Sequence, residues 1–189
     1  MSVKIRIETE FGTITAELQD TEAPITVTNF LHYVEEGLYD RGCFHRTVTA
    51  DNNSNDNLDI SEDEKYQGYI PNDEIAIQVI QASINPEREK ELGEPIPLER
   101  TSETGLRHLD GTLSMARSTP DSAVSDFFIC INDQPELDFG GKRNPDGQGF
   151  AAFGRVTEGM DVVRTIQAQP ARGQILEPVV PILKIDLQK

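Results

Sequence analysis

The sequence predicts a mainly β protein, built as a closed antiparallel barrel with two α-helices. Most apolar residues fall in short segments that alternate with polar residues or are bounded by turn-forming residues. In contrast, only two segments repeat apolar residues every three or four positions, the spacing of an amphipathic helix. Closing the sheet would remove exposed strand edges, which favours a barrel, although periodicity alone does not separate a barrel from a sandwich.

The composition is typical of one soluble globular unit. The chain has 189 residues, of which 37% are hydrophobic and 26% are charged, enough for a single well-filled core. We therefore predict one domain over residues 1–189. The net charge of −16 would repel nucleic acid and anionic membrane surfaces, so we expect neither as a partner.

Long apolar segments are absent from the sequence, and cysteines are few. No stretch approaches the roughly 18 apolar residues of a membrane span, and the start of the chain does not resemble a secretory signal. Cys43 and Cys130 each lie in an apolar stretch, which favours two buried free thiols over a disulfide or redox pair. These features predict a cytoplasmic protein, which we expect to be a monomer.

The first elements are a hairpin, a helix and a strand. Residues 3–18 alternate apolar with polar side chains on both sides of Phe11-Gly12, which predicts a β-hairpin with one buried face. From Pro24 the apolar residues recur every three or four positions until Gly37, which predicts an amphipathic helix of three to four turns. A strand is predicted over residues 43–48.

Residues 49–74 form a predicted polar and acidic insertion, because they are rich in Asp, Asn and Ser. Oxygen-bearing side chains in it match the ligand positions of a calcium-binding loop. They are Asp51, Asn53, Asn55, Asn57, Asp59 and Glu62. Asp56 takes the place of the template's glycine, and a strand rather than a helix precedes the loop, so a solvated linker is favoured over a calcium site.

The remaining strands and the second helix are predicted in the rest of the chain. A strand over residues 75–80 is followed by a long, proline-broken connection over residues 85–104. A second helix is predicted directly after Gly159. Further strands are predicted at residues 111–117, 127–132, 150–156 and 180–187.

Six short motifs occur in order along the chain and together resemble a cyclophilin of the bacterial kind. They are Asn29-Phe30-Leu31, Phe44-His45-Arg46, Met115-Ala116-Arg117, Phe127-Phe128-Ile129, Leu137-Asp138 and Phe153-Gly154-Arg155. The resemblance implies an eight-stranded antiparallel barrel capped by two helices. It also implies peptidyl-prolyl cis–trans isomerase (rotamase) activity that assists protein folding. The expected partners are proline-containing peptides and unfolded or partly folded proteins.

The resemblance also implies which residues form the site. The catalytic arginine of the family maps onto Arg46. The expected substrate-binding residues are Gln81, Val79, Ala116, Phe128, Leu137 and Phe150. Gln81 is placed across the insertion, because its distance from the turn at residues 105–106 suits a bacterial member.

Several family positions carry other residue types in this chain. Asp126 stands where the family usually has a glutamine, and Glu136 where it has a tryptophan or phenylalanine. Phe150 takes the position of a histidine or tyrosine, and Val79 that of a methionine. These departures bear on rate and substrate preference more than on reaction type.

The implied reaction needs no metal, cofactor or nucleophile, because rotation about a prolyl amide neither makes nor breaks a bond. Its barrier of roughly 18–20 kcal/mol comes from amide resonance. An apolar pocket for the proline ring and a cation beside the twisted amide are sufficient, and Arg46 is a permanent cation. The rival hypothesis is a cyclophilin-fold module that binds a proline-containing partner with little turnover.

The three histidines are given no catalytic role. His45 is predicted to support packing, whereas His32 and His108 are predicted to lie at the surface.

Overall fold

The computed structural model describes residues 3–53 and 74–188. The strands in this part of the chain all belong to one sheet. In chain order they are β1 (Val3–Thr9), β2 (Gly12–Leu18), β3 (Cys43–Val48), β4 (Val79–Ser83), β5 (Thr112–Met115), β6 (Phe127–Cys130), β7 (Ala152–Glu158), β8 (Ala171–Arg172) and β9 (Ile175–Gln188).

The sheet closes into a barrel, because its first strand pairs with both its second and its ninth strand. The order around the barrel is β1, β2, β7, β5, β6, β4, β3 and β9, and the two-residue β8 extends from β9. Every pair of strands is antiparallel. The predicted closed eight-stranded antiparallel barrel is therefore confirmed.

The β1–β2 hairpin forms where alternation predicts it. Inward-facing Ile5, Ile7 and Ile14 are fully buried, while the residues between them are more exposed. The same β1 pairs along its length with β9, from Lys4 opposite Gln188 to Thr9 opposite Ile182. Burial of alternate side chains therefore fixes the register at the barrel's closing seam.

Two α-helices of at least eight residues accompany the barrel in the described part of the chain, as predicted. They are α1 (Pro24–Glu35) and α3 (Met160–Gln167), with the short α2 (Thr101–Thr104) between them. In α1, Phe30 is fully buried and meets Phe127 of β6 edge to face at 5.4 Å between ring centroids. In α3, Val163 and Ile166 are fully buried.

The predicted connection over residues 85–104 is more regular than expected. It contains a 3-10 helix at Pro86–Glu91 as well as α2. A further 3-10 helix, Pro135–Leu137, follows β6. In both 3-10 helices a proline occupies the first position, where its missing N–H costs nothing.

The strand predicted from residue 75 instead begins at Val79 and runs on to Ser83. Side chains, rather than a neighbouring strand, bind the backbone of Ile75 and Ile77. Asn53 accepts the Ile77 N–H at 2.8 Å and donates to its carbonyl at 3.1 Å, and Arg143 donates to the Ile75 carbonyl at 2.8 Å. An apolar, β-prone run predicts a strand, but these side chains take the hydrogen-bonding groups that a ladder would use.

Two hydrophobic clusters lie on opposite sides of the sheet. The larger fills the barrel and includes Phe30, Phe44 and Phe127. The smaller, called here the outer cluster, packs against β3, β4 and β6 from outside. It consists of Val48, Ile77, Val79, Phe128, Cys130, Leu137 and Phe150, with Ala116 packed against it. Phe127 and Phe128 belong to different clusters because successive strand residues face opposite sides.

Cys43 and Cys130 are both free thiols, as predicted; Cys130 is buried as expected, whereas Cys43 is only half-buried. Burial raises the pKa of the Cys130 thiol well above its ordinary value, and Asp138 adds to that rise. In the ranges that the structure describes, no helix is long and apolar enough to cross a membrane.

Candidate active site

Three neighbouring strands present the candidate site on the outside of the barrel. Arg46 of β3 lies opposite Gln81 of β4, and Gln81 in turn lies opposite Phe128 of β6. The three residues therefore form one line across the sheet. The insertion that separates Arg46 from Gln81 in sequence does not separate them in space.

Two side-chain amides hold the Arg46 guanidinium. Its Nη1 donates to Gln81 Oε1 at 3.0 Å, while Nε and Nη2 both donate to Gln174 Oε1, at 2.9 and 2.7 Å. Both amides are neutral, so these bonds orient the guanidinium plane without adding negative charge.

Gln174 is a site residue that the sequence analysis missed. It is 1% exposed, and its Nε2 donates to the Asn52 carbonyl at 2.9 Å. Its own carbonyl accepts the Thr47 N–H at 2.8 Å, directly beside Arg46. Gln174 lies between β8 and β9 and reaches the site because β9 pairs with β3. No local pattern around Gln174 indicates that pairing.

The outer cluster contains the predicted apolar substrate-binding residues. Val79, Phe128, Leu137 and Phe150 are each 5% exposed or less, and Ala116 lies half-buried beside them. Phe128 and Phe150 meet edge to face at 5.7 Å between ring centroids. The structure thus gathers residues from five separate segments into one apolar surface next to Arg46 and Gln81.

A buried arginine supports Phe150 from behind. The Arg117 guanidinium carbon lies 4.9 Å from the Phe150 ring centroid. Arg117 also donates twice to Asp146, at 2.8 and 3.0 Å, and to the Gly149 carbonyl. Burial raises the pKa of the Asp146 carboxyl, but hydrogen bonds from Arg117 and from the Gln148 N–H outweigh it, so the pKa lies below its ordinary value.

His108 is buried, so its predicted surface position is wrong. Its side chain lies between Asp138 Oδ1, at 2.7 Å from Nδ1, and Ser114 Oγ, at 2.8 Å from Nε2. The imidazole stacks on Phe128 at 6.1 Å between ring centroids. The sequence around His108 has the polarity of a turn, and only the fold reveals the two partners that make its burial possible.

The hydrogen bonds connect Ser114 to His108 and His108 to Asp138, as in the catalytic triad of a hydrolase. Burial excludes that function here. Ser114 is fully buried and His108 is 1% exposed, so no substrate carbonyl can reach the hydroxyl oxygen. The three side chains instead form a hydrogen-bonded support beneath Phe128.

His45 and Asp126 lie at the edge of the site, on the side of Gln81 away from Val79. His45 Nε2 is 3.4 Å from Asp126 Oδ2, and the two side chains are 34% and 38% exposed. Gln81 Nε2 donates to the same carboxylate oxygen at 3.3 Å. The ring of His45 is thus partly exposed and faces a carboxylate, and its predicted packing role stays a prediction.

Glu136 lies on the other side of Leu137 and belongs to a different cavity. Its carboxylate accepts the Lys142 N–H at 2.8 Å. The open cavity beside it has a volume of about 500 Å³ and is lined by Arg107, Phe139 and their neighbours. None of the predicted catalytic or substrate-binding residues lines this cavity.

Metal binding finds no support in the described ranges. No three His, Cys, Asp or Glu side chains converge there as a metal site would require. Of the residues that match the calcium-loop template, only Asp51 and Asn53 fall within residues 3–53 and 74–188; the rest lie outside the described residues. The amide oxygen of Asn53 already accepts the Ile77 N–H.

Comparisons with known proteins point to one family. Residues 4–187 match the family model described as cyclophilin type peptidyl-prolyl cis-trans isomerase/CLD. The chain is 34% identical over 183 residues to peptidyl-prolyl cis-trans isomerase cyp18 of Streptomyces antibioticus, covering 95% of this chain and 93% of that protein. It is 31% identical over 164 residues to peptidyl-prolyl cis-trans isomerase B of Escherichia coli K12, covering 86% and 83%.

A solved structure supports the same fold. The crystal structure of a cyclophilin type peptidyl-prolyl cis-trans isomerase from Cryptosporidium parvum superposes with a TM-score of 0.72 at 21% identity, covering 100% of this chain and 99% of that one. The barrel, the family match over nearly the whole chain and the two bacterial relatives lead to one conclusion. This chain belongs to the cyclophilin-type peptidyl-prolyl cis–trans isomerase family.

Proposed function

We propose that this chain catalyses rotation about Xaa-Pro bonds in peptides and in unfolded or partly folded proteins, with Arg46 as its catalytic residue. The outer cluster receives the proline ring, while Arg46 and Gln81 lie beside the amide that rotates. Its relatives in Streptomyces antibioticus and Escherichia coli are named peptidyl-prolyl cis-trans isomerases. A second structure of the Cryptosporidium parvum protein was determined in the presence of the dipeptide Ala-Pro.

The chemistry follows from what a twisted amide requires. Twisting the bond breaks resonance, which localises a lone pair on the proline nitrogen. A guanidinium can hold the carbonyl oxygen and approach that nitrogen as the bond twists, because it carries several donors in one plane and stays charged at any working pH. Since Gln81 and Gln174 already fix that plane, little reorganisation is needed during the reaction.

The observation that carries this proposal is the single line formed by Phe128, Gln81 and Arg46 across three strands. It sets an apolar pocket and an oriented cation side by side. A module that only bound proline-containing partners would need the pocket but not an arginine held by two amides. The rival hypothesis is for this reason not favoured.

The test is the activity of Arg46→Ala. We expect kcat/KM for a proline-containing peptide to fall by about 100-fold, the usual loss when a group that stabilises the transition state is removed. The chain should remain folded, because the barrel core is untouched, although the unfolding midpoint in urea should fall somewhat, because the buried Gln174 oxygen loses its two bonds from Arg46. Arg155→Ala, which removes an exposed arginine from β7, serves as the matched control and should keep its activity.

The assignment would fail if Arg46→Ala kept near-native turnover while remaining folded. If the unaltered chain showed no turnover of any Xaa-Pro peptide, the rival binding function would be correct instead. The cytoplasmic location and the monomeric state stay predictions.

A further inference from the structure

Asp126 lies next to the Arg46–Gln81 line, on the side away from Val79. Along β4, Val79 faces the outer cluster and Gln81 comes next on the same side of the strand. Asp126 precedes Phe128 by two positions and bonds Gln81 from the side away from Val79. The carboxylate is therefore one row, about 7 Å, beyond the Arg46–Gln81 line as seen from the pocket.

If the proposed function holds, the direction in which the substrate backbone passes the row of Asp126 follows from the position of the proline ring. With the proline ring in the outer cluster, its nitrogen faces Arg46 and Gln81. The residue before the proline is bonded to that nitrogen, so it begins at the Arg46–Gln81 line and extends away from the pocket. A side chain of that residue that turns toward the sheet would come near Asp126.

The charge at this position is negative and partly solvated. His45 is the ion-pair partner of Asp126 within the described residues. Its imidazole carries a positive charge only when it is protonated. The field of the carboxylate also reaches neighbouring groups. Burial raises the pKa of the Cys43 thiol; a hydrogen bond with Ser83 opposes the rise, and the charge of Asp126 adds to it.

We propose that Asp126 selects substrates that carry lysine or arginine directly before the proline. This inference rests on the proposed function and adds a substrate class to it. A cationic side chain there would lie close to the carboxylate, whereas an acidic one would be repelled. The glutamine usual at this family position would exert no such charge selection.

The experiment compares kcat/KM for Ala-Lys-Pro-Phe, Ala-Ala-Pro-Phe and Ala-Glu-Pro-Phe, measured by NMR exchange so that no coupling protease imposes its own preference. At low ionic strength we expect the Lys-Pro peptide to exceed the Glu-Pro peptide by about tenfold, as for charges a few ångströms apart near a wet surface. In about 1 M salt the ratio should fall to within about twofold, because the Debye length shrinks to about 3 Å.

Asp126→Asn should reduce the Lys-Pro to Glu-Pro ratio to within about twofold at low salt. Asp161→Asn is the matched control, since it removes the same charge from the first turn of α3, and it should keep the ratio. Turnover of Ala-Ala-Pro-Phe with no preference between the charged peptides would overturn this inference and leave the proposed function standing. A preference lost in Glu136→Gln but kept in Asp126→Asn would also overturn it. No turnover of any of the three peptides would instead overturn the proposed function.

Discussion

Arg46 is held in the site by residues that lie far from it in sequence. Gln81 is separated from it by the insertion, and Gln174 by most of the remaining chain. An arginine side chain loses much rotational freedom when it is fixed in one position. Because the two amides fix the side chain when the protein folds, this entropy is already lost before a substrate binds.

Gln174→Leu tests whether this support matters to catalysis. We expect kcat/KM to fall by about tenfold, because Arg46 would keep only one of its two orienting amides. The decisive measurement repeats the substitution in an Arg46→Ala background, where Gln174→Leu should have no further effect on activity. An equal loss in both backgrounds would mean that Gln174 does not act through Arg46. Gln169→Leu is the control and should keep the activity. Gln169 also follows α3, but its amide bonds the Thr165 carbonyl rather than Arg46.

His108→Leu tests the buried support beneath Phe128. Removing the imidazole leaves Asp138 and Ser114 without the hydrogen bonds that it makes, so we expect the free energy of unfolding to fall by about 2–3 kcal/mol. Urea denaturation measures this loss. The exposed His32→Leu should change the stability by less than about 0.5 kcal/mol. An unchanged free energy of unfolding in His108→Leu would show that the buried network contributes nothing to stability.

For single residues, the order of short motifs along the chain predicts more of the candidate site than local hydrophobic periodicity does. The order of short motifs predicts Arg46 and Phe128, because each sits in a triplet of recognisable residue types. It cannot predict Gln174, since an amide near a turn has no signature until β9 is placed beside β3. It likewise misses His108, because the burial of a histidine depends on partners supplied by other segments.

Among the elements, the segment between Leu137 and Phe150 has the most direct effect on the pocket. It is irregular, but Arg117 ties it to the end of β5 through Asp146 and the Gly149 carbonyl. The same arginine lies over Phe150. A loop without regular structure can therefore hold an aromatic pocket residue in a fixed position.

Asp146→Asn tests this support through its pH dependence. We expect a loss of about 2 kcal/mol in the free energy of unfolding at pH 7, because a hydrogen bond to a charged group is replaced by a weaker one. The folded-state pKa of Asp146 is depressed, so the ion pair stabilises the fold above the ordinary carboxyl pKa of about 3.9. That stabilisation is lost as the pH falls through the lower folded-state value. Urea unfolding of both proteins from pH 7 to pH 2.5 should show the two stabilities converging at the acid end. A difference that stays constant would exclude the ion pair as its cause.

Strand boundaries illustrate where periodicity fails at the element scale. Residues 75–77 have the composition of a strand, yet Arg143 binds the Ile75 carbonyl and Asn53 binds the Ile77 backbone instead. The strand predicted to reach residue 132 stops at Cys130, because Asn132 adopts a φ of 61°, outside the extended region. Alternation records which side chains are buried, whereas a boundary depends on which groups bind the backbone.

For the whole molecule, hydrogen bonds join the residues on either side of segment 54–73. Asn53 precedes the undescribed residues 54–73, and its side chain forms two bonds with the backbone of Ile77, which follows them. We therefore expect β3 and β4 to pair without help from residues 54–73.

Replacing residues 54–73 by a short Gly-Ser linker should consequently leave a folded, active enzyme. Shortening the loop about fivefold lowers its closure entropy cost by only about 1–1.5 kcal/mol. The thermal midpoint and kcat/KM of the shortened chain measure the outcome. The same replacement combined with Asn53→Ala should be less stable, because the flanks lose their link. A large fall in thermal midpoint on shortening alone would show that residues 54–73 are needed for the barrel.

The closing seam of the barrel has a consequence for the protein during its synthesis. Because β9 pairs with both β1 and β3, these two strands keep unsatisfied edges until residues 175–188 have left the ribosome. The nascent chain therefore cannot complete its barrel from the N-terminal side alone, and Gln174 reaches Arg46 only when that final strand docks. Arg46 lacks the support of Gln174 until β9 pairs with β3, so a chain without this strand in place would be an open sheet with an incomplete candidate site.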